Sequence, residues 1–283
     1  MPGTITFDRE AGRKITSGPL TLNVIDAGKG MPVLMVHGFP DSGLVWRKQA
    51  PALIAAGYRV LAPDNRGYGL SDRPPGVASY RLENVVGDLL TVMDRLKVRR
   101  TALVAHDWGV PPAWQLVNDH PERISCFVSI SVGNPAAYRA AGLSQALRGW
   151  YTMFFQLRGL AEWYLRRKNW RGARRLTDNH EESARWIADL SRPGALTAAL
   201  NWYRANMFRQ IFKKAPVATM PVMGIWSDGD RYLTEQQVRE SGHFVKNAWR
   251  YEKITGASHW AMLDRPDEVN GLLLDFFRQY WPA

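Results

Sequence analysis

The chain has 283 residues, of which 46% are apolar and 22% charged, a balance that excludes intrinsic disorder and predicts a packed core. It contains no run of about 18 apolar residues, which excludes a membrane-spanning helix. Residues 1–10 lack the apolar centre of a secretion signal, so a cytoplasmic protein is expected. The net charge of +11 raises the question of an anionic partner, such as nucleic acid or an anionic membrane, but no nucleic-acid-binding motif accompanies it. We therefore expect neither a nucleic-acid nor a membrane partner.

Much of the local excess of positive charge lies at residues 166–168 and 171–175, in a stretch with helical periodicity. Basic blocks on folded domains are commonly solvated, which predicts a solvent-exposed helix face here, with a weak polyanion-binding patch as the alternative.

The single cysteine, Cys126, cannot form an intramolecular disulfide. It lies in an apolar stretch, so we expect a buried, unreactive thiol.

Strand-like and helix-like segments alternate along most of the chain. A hairpin is predicted over residues 4–26, a helix over 80–96 and a closing helix over 267–280. Short apolar strands are predicted at residues 32–36, 59–62, 101–105, 127–132, 221–226 and 250–254. This alternation predicts an α/β fold with a mostly parallel central sheet flanked by helices.

The pattern changes over residues 134–216, where strands disappear and Trp, Tyr, Arg and Ala recur with helical spacing. We interpret this segment as a helical cap inserted into a core formed by residues 1–133 and 217–283. Its insertion point predicts a position over the carboxyl ends of the strands, where a ligand crevice is expected.

The strand at residues 101–105 leads directly into a helix beginning near Pro111, with Asp107 at the turn. A sharp strand-to-helix elbow requires small residues two positions before and after its centre, and Ala105 and Gly109 meet that requirement. Asp107 is a carboxylate that attacks carbon without needing a base, which suits strained or halogenated electrophiles. The alternative is an aspartate that only caps the following helix.

Four segments of the chain together resemble the epoxide hydrolase branch of the α/β-hydrolase fold superfamily. They are residues 37–40, residues 64–72, the Asp107 elbow and residues 258–260. Val110 departs from the family pattern, which has a second small residue after the elbow. The resemblance implies an α/β-hydrolase fold, conversion of apolar epoxides and water to vicinal diols through an ester on Asp107, and no cofactor.

The resemblance also implies the partners of Asp107. His259 occupies the position of the catalytic histidine, and the family pattern places the supporting acid at Asp230, with Asp228 as the second candidate. The other histidines outside residues 37–40 and the elbow are interpreted as surface or core residues; they are His120, His180 and His243. No pair of histidines or acids has the spacing of a metal site, so no metal is expected.

By the same resemblance, the backbone N–H groups of Phe39 and Trp108 form the oxyanion hole, and His37, Gly38 and Pro40 shape the loop around it. A simple turn at the end of a strand is the alternative interpretation of this loop.

The choice of electrophile depends on the cap, because an epoxide oxygen leaves as an alkoxide and requires a proton donor. Resemblance to the family's cap segments selects Tyr203 as the first acid and Tyr151 as the second.

A haloalkane dehalogenase with the same nucleophile is the alternative function, although Phe39 replaces the halide-binding Asn of many such enzymes. Trp108 replaces the Arg of fluoroacetate dehalogenases. A non-catalytic receptor on this fold is a more distant alternative, and a homo-oligomer is compatible with the sequence.

Overall fold

A computed structural model describes residues 7–209 and 214–283, and an eight-stranded sheet lies at its centre. Across the sheet the strands follow the order β1-β2-β4-β3-β5-β6-β7-β8. Strands β3 to β8 are parallel, whereas β2 pairs antiparallel with both β1 and β4. The strands are β1 Arg13–Ser17, β2 Leu20–Gly28, β3 Met31–Val36, β4 Tyr58–Pro63, β5 Thr101–His106, β6 Ile124–Ile130, β7 Val222–Ser227 and β8 Trp249–Ile254. The predicted α/β architecture is confirmed.

Helices cover both faces of the sheet. The helices of this core are α1 Ala50–Ala55, α2 Leu82–Arg95, α3 Val110–Asp119, α10 Glu235–Arg239, α11 Ala261–Asp264 and α12 Pro266–Tyr280. Apolar side chains of α1, α11 and α12 pack on one face of the sheet, and those of α2 and α3 pack on the other. Within the described residues, no helix combines the length and apolar composition needed to cross a bilayer.

Most predicted elements agree with the structure to within two residues, and two elements differ by more. Strand β6 begins at Ile124 and ends at Ile130, whereas the prediction covered residues 127–132. It ends early because Ser131 adopts a left-handed φ of 68°, which an extended strand does not allow. The predicted hairpin forms between β1 and β2, but β1 begins only at Arg13, and predicted residues 4–6 lie outside the described residues.

Cys126 is fully buried on β6, as predicted. It belongs to the apolar cluster beneath α12. Burial raises the pKa of its thiol to about 12, so the thiolate needed for reactivity is scarce at neutral pH.

We call residues 134–216 the helical insertion, and its described residues form six helices between β6 and β7. They are α4 Pro135–Ala140, α5 Gly142–Arg148, α6 Trp150–Phe154, α7 Leu160–Leu176, α8 Ser183–Ser191 and α9 Ala195–Asn206. Residues 210–213 of the insertion lie outside the described part of the chain. Helix α7 contains a kink, because Lys168, Asn169 and Trp170 all have left-handed φ angles.

The helical insertion is fixed to the core by apolar packing and by buried polar contacts. An apolar cluster joins Phe39 and Tyr68 of the core to Trp202 and Tyr203 of α9. Asp41, whose side chain is buried, accepts hydrogen bonds from both Arg185 and Trp186 of α8. The insertion therefore rests on the loop that follows β3, at the carboxyl end of the sheet.

Candidate active site

Strand β5 ends in a tight elbow at Asp107. The backbone passes through a 3₁₀ turn over Asp107–Gly109 before α3, and Asp107 has a left-handed φ of 49°. Such a conformation costs on the order of 1–3 kcal/mol for a residue other than glycine, so the surroundings must enforce it. A Cβ on Gly38 would lie 2.5 Å from the Cβ of Asp107, and one on Gly109 would lie 2.5 Å from the carbonyl oxygen of Val36. Only glycine fits at both positions.

Val110, the departure from the family pattern, begins α3 with its side chain buried in the apolar cluster on that face of the sheet. The larger side chain is therefore accommodated, and the close approach to β3 occurs at Gly109. The residue before α3, in the cap position, is Gly109. Asp107 is thus not the capping residue of this helix.

The Asp107 carboxylate is buried and receives backbone hydrogen bonds. The N–H of Phe39 donates to Oδ1 at 2.7 Å, and the N–H of Trp108 also donates to the carboxylate. Burial by itself raises the pKa of Asp107, but the hydrogen bond and charge of His259 and these contacts lower it below its ordinary value. Asp107 is therefore ionised at neutral pH.

His259 lies between two carboxylates on the loop after β8. Its Nδ1 is 2.8 Å from Oδ2 of Asp230, and its Nε2 is 3.5 Å from Oδ2 of Asp107. Burial by itself lowers the pKa of His259, but the charges and hydrogen bonds of the two carboxylates raise it to about 10. The resting site thus holds an imidazolium between two anions.

The structure distinguishes the two candidate acids by position. Asp230 is buried, and its Oδ1 accepts the backbone N–H groups of Tyr232 and Leu233, which leaves Oδ2 for His259. Asp228 instead accepts the backbone N–H of Gly256 at 2.8 Å on the exposed side of the turn. The carboxylate at His259 is therefore that of Asp230.

The loop after β3 is fixed by its first residue. His37 is fully buried, its Nδ1 donates to the carbonyl of Gly38, and its Nε2 accepts the backbone N–H of Asn65. Burial lowers the pKa of His37, so the ring is neutral and suited to this pair of roles. The peptide bond between Phe39 and Pro40 is cis. These contacts hold the N–H of Phe39 against Asp107.

A cavity of about 380 Å³ opens beside the carboxylate, and Asp107, Trp108, Tyr151 and Tyr203 all line it. The two phenol rings meet edge to face with their centroids 6.2 Å apart. Burial raises the pKa of both tyrosines well above the ordinary value, so both hydroxyls stay protonated. The indole of Trp108 packs edge to face against the ring of Tyr203, with centroids 4.7 Å apart. Two proton donors and an ionised carboxylate therefore share one cavity.

Three further residues contribute to the site without having been predicted from the sequence. His106 donates from Nε2 to the carbonyl of His259 at 3.0 Å, and burial lowers its pKa to about 3, so it stays neutral. The ring of Tyr232 contacts His259 edge to face, with centroids 5.2 Å apart. Tyr138 lines the cavity from α4. The sequence offers one indication of two of these roles: His106 is next to Asp107, and Tyr232 is two positions after Asp230.

The remaining histidines have local partners. His180 is 3.0 Å from Asp264 and stacks on Trp186, and His243 is 2.8 Å from Glu240 on the surface. His120 lies 3.8 Å from Glu122. Over residues 7–209 and 214–283, no three histidine, cysteine or acidic side chains are arranged to hold a metal ion.

Comparison with known proteins agrees with this architecture. A family model described as the alpha/beta hydrolase fold matches residues 31–266, so the chain belongs to the α/β-hydrolase fold family. The AB hydrolase superfamily protein YfhM of Bacillus subtilis is 32% identical, with 93% of this chain and 96% of that protein covered. Epoxide hydrolase A of Mycobacterium tuberculosis is 31% identical, with the same coverage.

A solved structure extends the comparison to three dimensions. The crystal structure of epoxide hydrolase A from Mycobacterium thermoresistibile superposes with a TM-score of 0.83 at 27% identity, covering 96% of this chain and 99% of that one. Together with the relatives in sequence, this likeness assigns the chain to the epoxide hydrolase branch of its family.

The charge of Asp107 supports the protonated state of His259, which leads to a prediction. Asp107→Asn should lower the pKa of His259 by at least about 1, because one of two neighbouring anions is removed. The imidazole signals of ¹⁵N-histidine-labelled protein, followed by NMR over pH, measure this value. Asp228→Asn is the matched control and should leave the value unchanged. An unchanged pKa in Asp107→Asn would show that the two side chains are not coupled.

Proposed function

We propose that the protein hydrolyses epoxides to vicinal diols through an alkyl ester on Asp107. One observation carries the proposal: an ionised, buried carboxylate lies in the same cavity as two protonated tyrosines, with His259 facing its free oxygen. The family relatives that bear the name epoxide hydrolase support the same activity.

In the first step, Oδ2 of Asp107 attacks an oxirane carbon, and the bond from that carbon to the ring oxygen breaks. The ring oxygen leaves as an alkoxide and takes a proton from Tyr203 or Tyr151. Oδ1 is held by the N–H of Phe39, so the other oxygen is free to attack. The product is an ester whose carbonyl oxygen stays hydrogen-bonded to the backbone N–H groups of Phe39 and Trp108.

Ester formation also prepares the second step. The anionic charge of Asp107 disappears, and with it one of the two charges that stabilise the imidazolium of His259. His259 then releases its proton, the tyrosinate regains one, and the neutral imidazole becomes a base. Asp230 still orients the ring through Nδ1.

Water then attacks the carboxylate carbon of the ester while His259 accepts a proton from it. Negative charge develops on the carbonyl oxygen, where the backbone N–H groups of Phe39 and Trp108 stabilise it. Collapse of this intermediate breaks the ester bond, and the diol oxygen takes the proton from His259. The Asp107 carboxyl group, which still carries the second proton of the attacking water, passes it to His259, so that the carboxylate and the imidazolium of the resting site are restored.

We further propose that residues 134–216 act as a cap subdomain on a core formed by residues 1–133 and 217–283. The cap supplies Tyr151 and Tyr203 and covers the nucleophile, which is at the carboxyl end of the sheet. Every group used in the two steps is a side chain or a backbone N–H of this chain, so the scheme requires no cofactor or metal.

Dehalogenation with the same nucleophile is less well supported by the cavity. A halide leaves without a proton and is held by N–H donors, yet the indole of Trp108 packs against the ring of Tyr203, beside a phenol that donates protons. Phe39 offers only its backbone N–H, which is already bonded to Asp107. Two phenols beside the nucleophile suit an alkoxide leaving group instead.

A substrate screen tests the proposed function. Aryl and alkyl epoxides that fit a cavity of about 380 Å³ should give diols, and chloro-, bromo- and iodoalkanes of matching shape should give no halide. Chromatography detects the diols, and a halide electrode detects the leaving group. Asp107→Asn is the control and should remove diol formation. Halide release without diol formation would assign the protein to the dehalogenases.

A further inference from the structure

The helical insertion exposes an unusual number of large apolar side chains. Among the described residues, the strongly exposed ones all lie in the insertion, and their exposure ranges from 49% to 74%. They are Leu143, Leu147, Trp150, Met153, Leu157, Leu160, Trp163 and Phe208. Exposed apolar residues that cluster in this way mark an interaction surface, whereas isolated ones require no explanation.

The first seven of these residues, which we call the apolar ridge, follow one another along α5, α6 and the start of α7. Leu143 and Leu147 are four residues apart on α5, so they share one face of that helix. Leu160 and Trp163 are three residues apart on α7 and likewise share a face. The ridge therefore runs along consecutive helices and is not dispersed over the surface.

The ridge lies at the rims of two cavities. Met153 lines the cavity that contains Asp107, and Leu147 and Trp150 line a second cavity of about 420 Å³. Tyr151 lines both cavities. Any surface that covers the ridge would therefore face the rim of the cavity that contains Asp107.

Positive charge is concentrated in the same segment. Residues 134–216 contain 15 Lys and Arg against 5 Asp and Glu, so they carry almost all of the net charge of +11. Residues 158–175 contain seven of these cations and a single carboxylate, Glu162, which is bound to Arg204. The guanidinium of Arg167 lies 5.1 Å from the ring centre of Trp163, so a cation of this segment contacts a residue of the apolar ridge.

This combination identifies the kind of partner. A second copy would bring the same cations face to face across a two-fold axis, and like charges oppose that pairing. A nucleic acid would use the cations but would leave exposed leucines and methionine without a role. An anionic bilayer uses both, because tryptophan and leucine enter the interface while lysine and arginine contact lipid phosphates.

We propose that the apolar ridge and the adjoining cations dock the protein on the surface of an anionic phospholipid bilayer. The docking is peripheral and involves no membrane-spanning segment. It places both cavity rims against the bilayer, so apolar substrates dissolved in the lipid reach Asp107 without crossing water. This delivery role rests on the proposed epoxide hydrolysis, whereas docking itself does not.

Sedimentation of the full chain with vesicles tests the docking. The protein should sediment with vesicles of phosphatidylcholine mixed with phosphatidylserine, but not with phosphatidylcholine alone, and added salt should release it. Leu160→Ser combined with Trp163→Ser should weaken binding by at least about tenfold, and so should Arg166→Glu combined with Arg171→Glu. None of these four residues lines the cavity of Asp107.

Lys14→Glu combined with Lys246→Glu is the matched control, because it changes the net charge equally at exposed sites on the core. This variant should bind vesicles nearly as well as the natural sequence. Two results would overturn the inference: ridge variants that sediment with anionic vesicles like the natural sequence, or a dimer in solution that Leu160→Ser with Trp163→Ser dissociates. Diol formation by a protein that binds no vesicle would leave the proposed function intact, and vesicle binding without diol formation would contradict that function alone.

Discussion

Replacing His259 by glutamine should stop the protein after its first chemical step and trap an alkyl ester on Asp107. Attack by the carboxylate needs no base, whereas activation of water does, so only the second step depends on the imidazole. Steady-state diol formation should fall by at least about 10³-fold. Mass spectrometry after addition of excess epoxide should find a stoichiometric adduct on the peptide that contains Asp107.

Two further variants make this result specific. His243→Gln changes an exposed histidine that is paired with Glu240, and it should keep full turnover without accumulating an adduct. Asp107→Asn combined with His259→Gln should remain unmodified, because the attacking oxygen is missing. If His259→Gln lost turnover but stayed unmodified under excess epoxide, direct attack by water would replace the ester scheme, and Asp107 would have only an electrostatic role.

The outline of the fold was predictable because it follows from hydrophobic periodicity, which is a local property. The buried strands at residues 101–105 and 221–226 read as continuous apolar runs, as parallel strands covered on both faces must. The end of β6 was not predictable, because the left-handed backbone of Ser131 has no signal in the side chain. The kink in α7 is a similar case, since helical spacing continues through Lys168 and Trp170.

The candidate site was predictable where its residues belong to short motifs and less so where contacts join distant parts of the chain. Asp107 and His259 lie in such motifs. The contact that supports His259 does not lie in a motif, because the hydrogen bond from His106 to the carbonyl of His259 joins residues 153 positions apart. Asp228 and Asp230 differ by two positions, and only the fold of the turn after β7 decides which of them reaches the imidazole.

The basic segment shows another limit of sequence patterns. A solvated helix face was predicted for residues 166–168 and 171–175, and Arg166, Arg167 and Lys168 are exposed. Leucine and tryptophan at helical spacing are normally buried, so exposed side chains at Leu160 and Trp163 could not be predicted from the pattern. The exposure of these side chains depends on how the helices pack. Because exposed apolar residues lie beside the cations, the basic segment is interpreted as part of an interaction surface and not only as a solvated helix face.

Removing the hydroxyls of both Tyr151 and Tyr203 should slow turnover as much as removing the imidazole of His259. The affected step is ester formation instead of ester hydrolysis. Tyr203→Phe or Tyr151→Phe alone should slow ring opening by about 10–100-fold, because the remaining phenol still donates a proton. The double change should slow it by at least about 10³-fold. Both rings line the cavity and contact each other, so phenylalanine preserves the packing while removing the donors.

The rate of ring opening is best measured apart from ester hydrolysis, in the His259→Gln background, as the rate at which the Asp107 adduct forms. Tyr164→Phe is the matched control, because Tyr164 lies in the insertion and lines the second cavity but not the cavity of Asp107. That variant should form the adduct at the unchanged rate. If the double variant did the same, Tyr203 and Tyr151 would be packing residues. The leaving group would then not require a proton from either tyrosine, and the choice of an epoxide over a halogenated substrate would lose its main support.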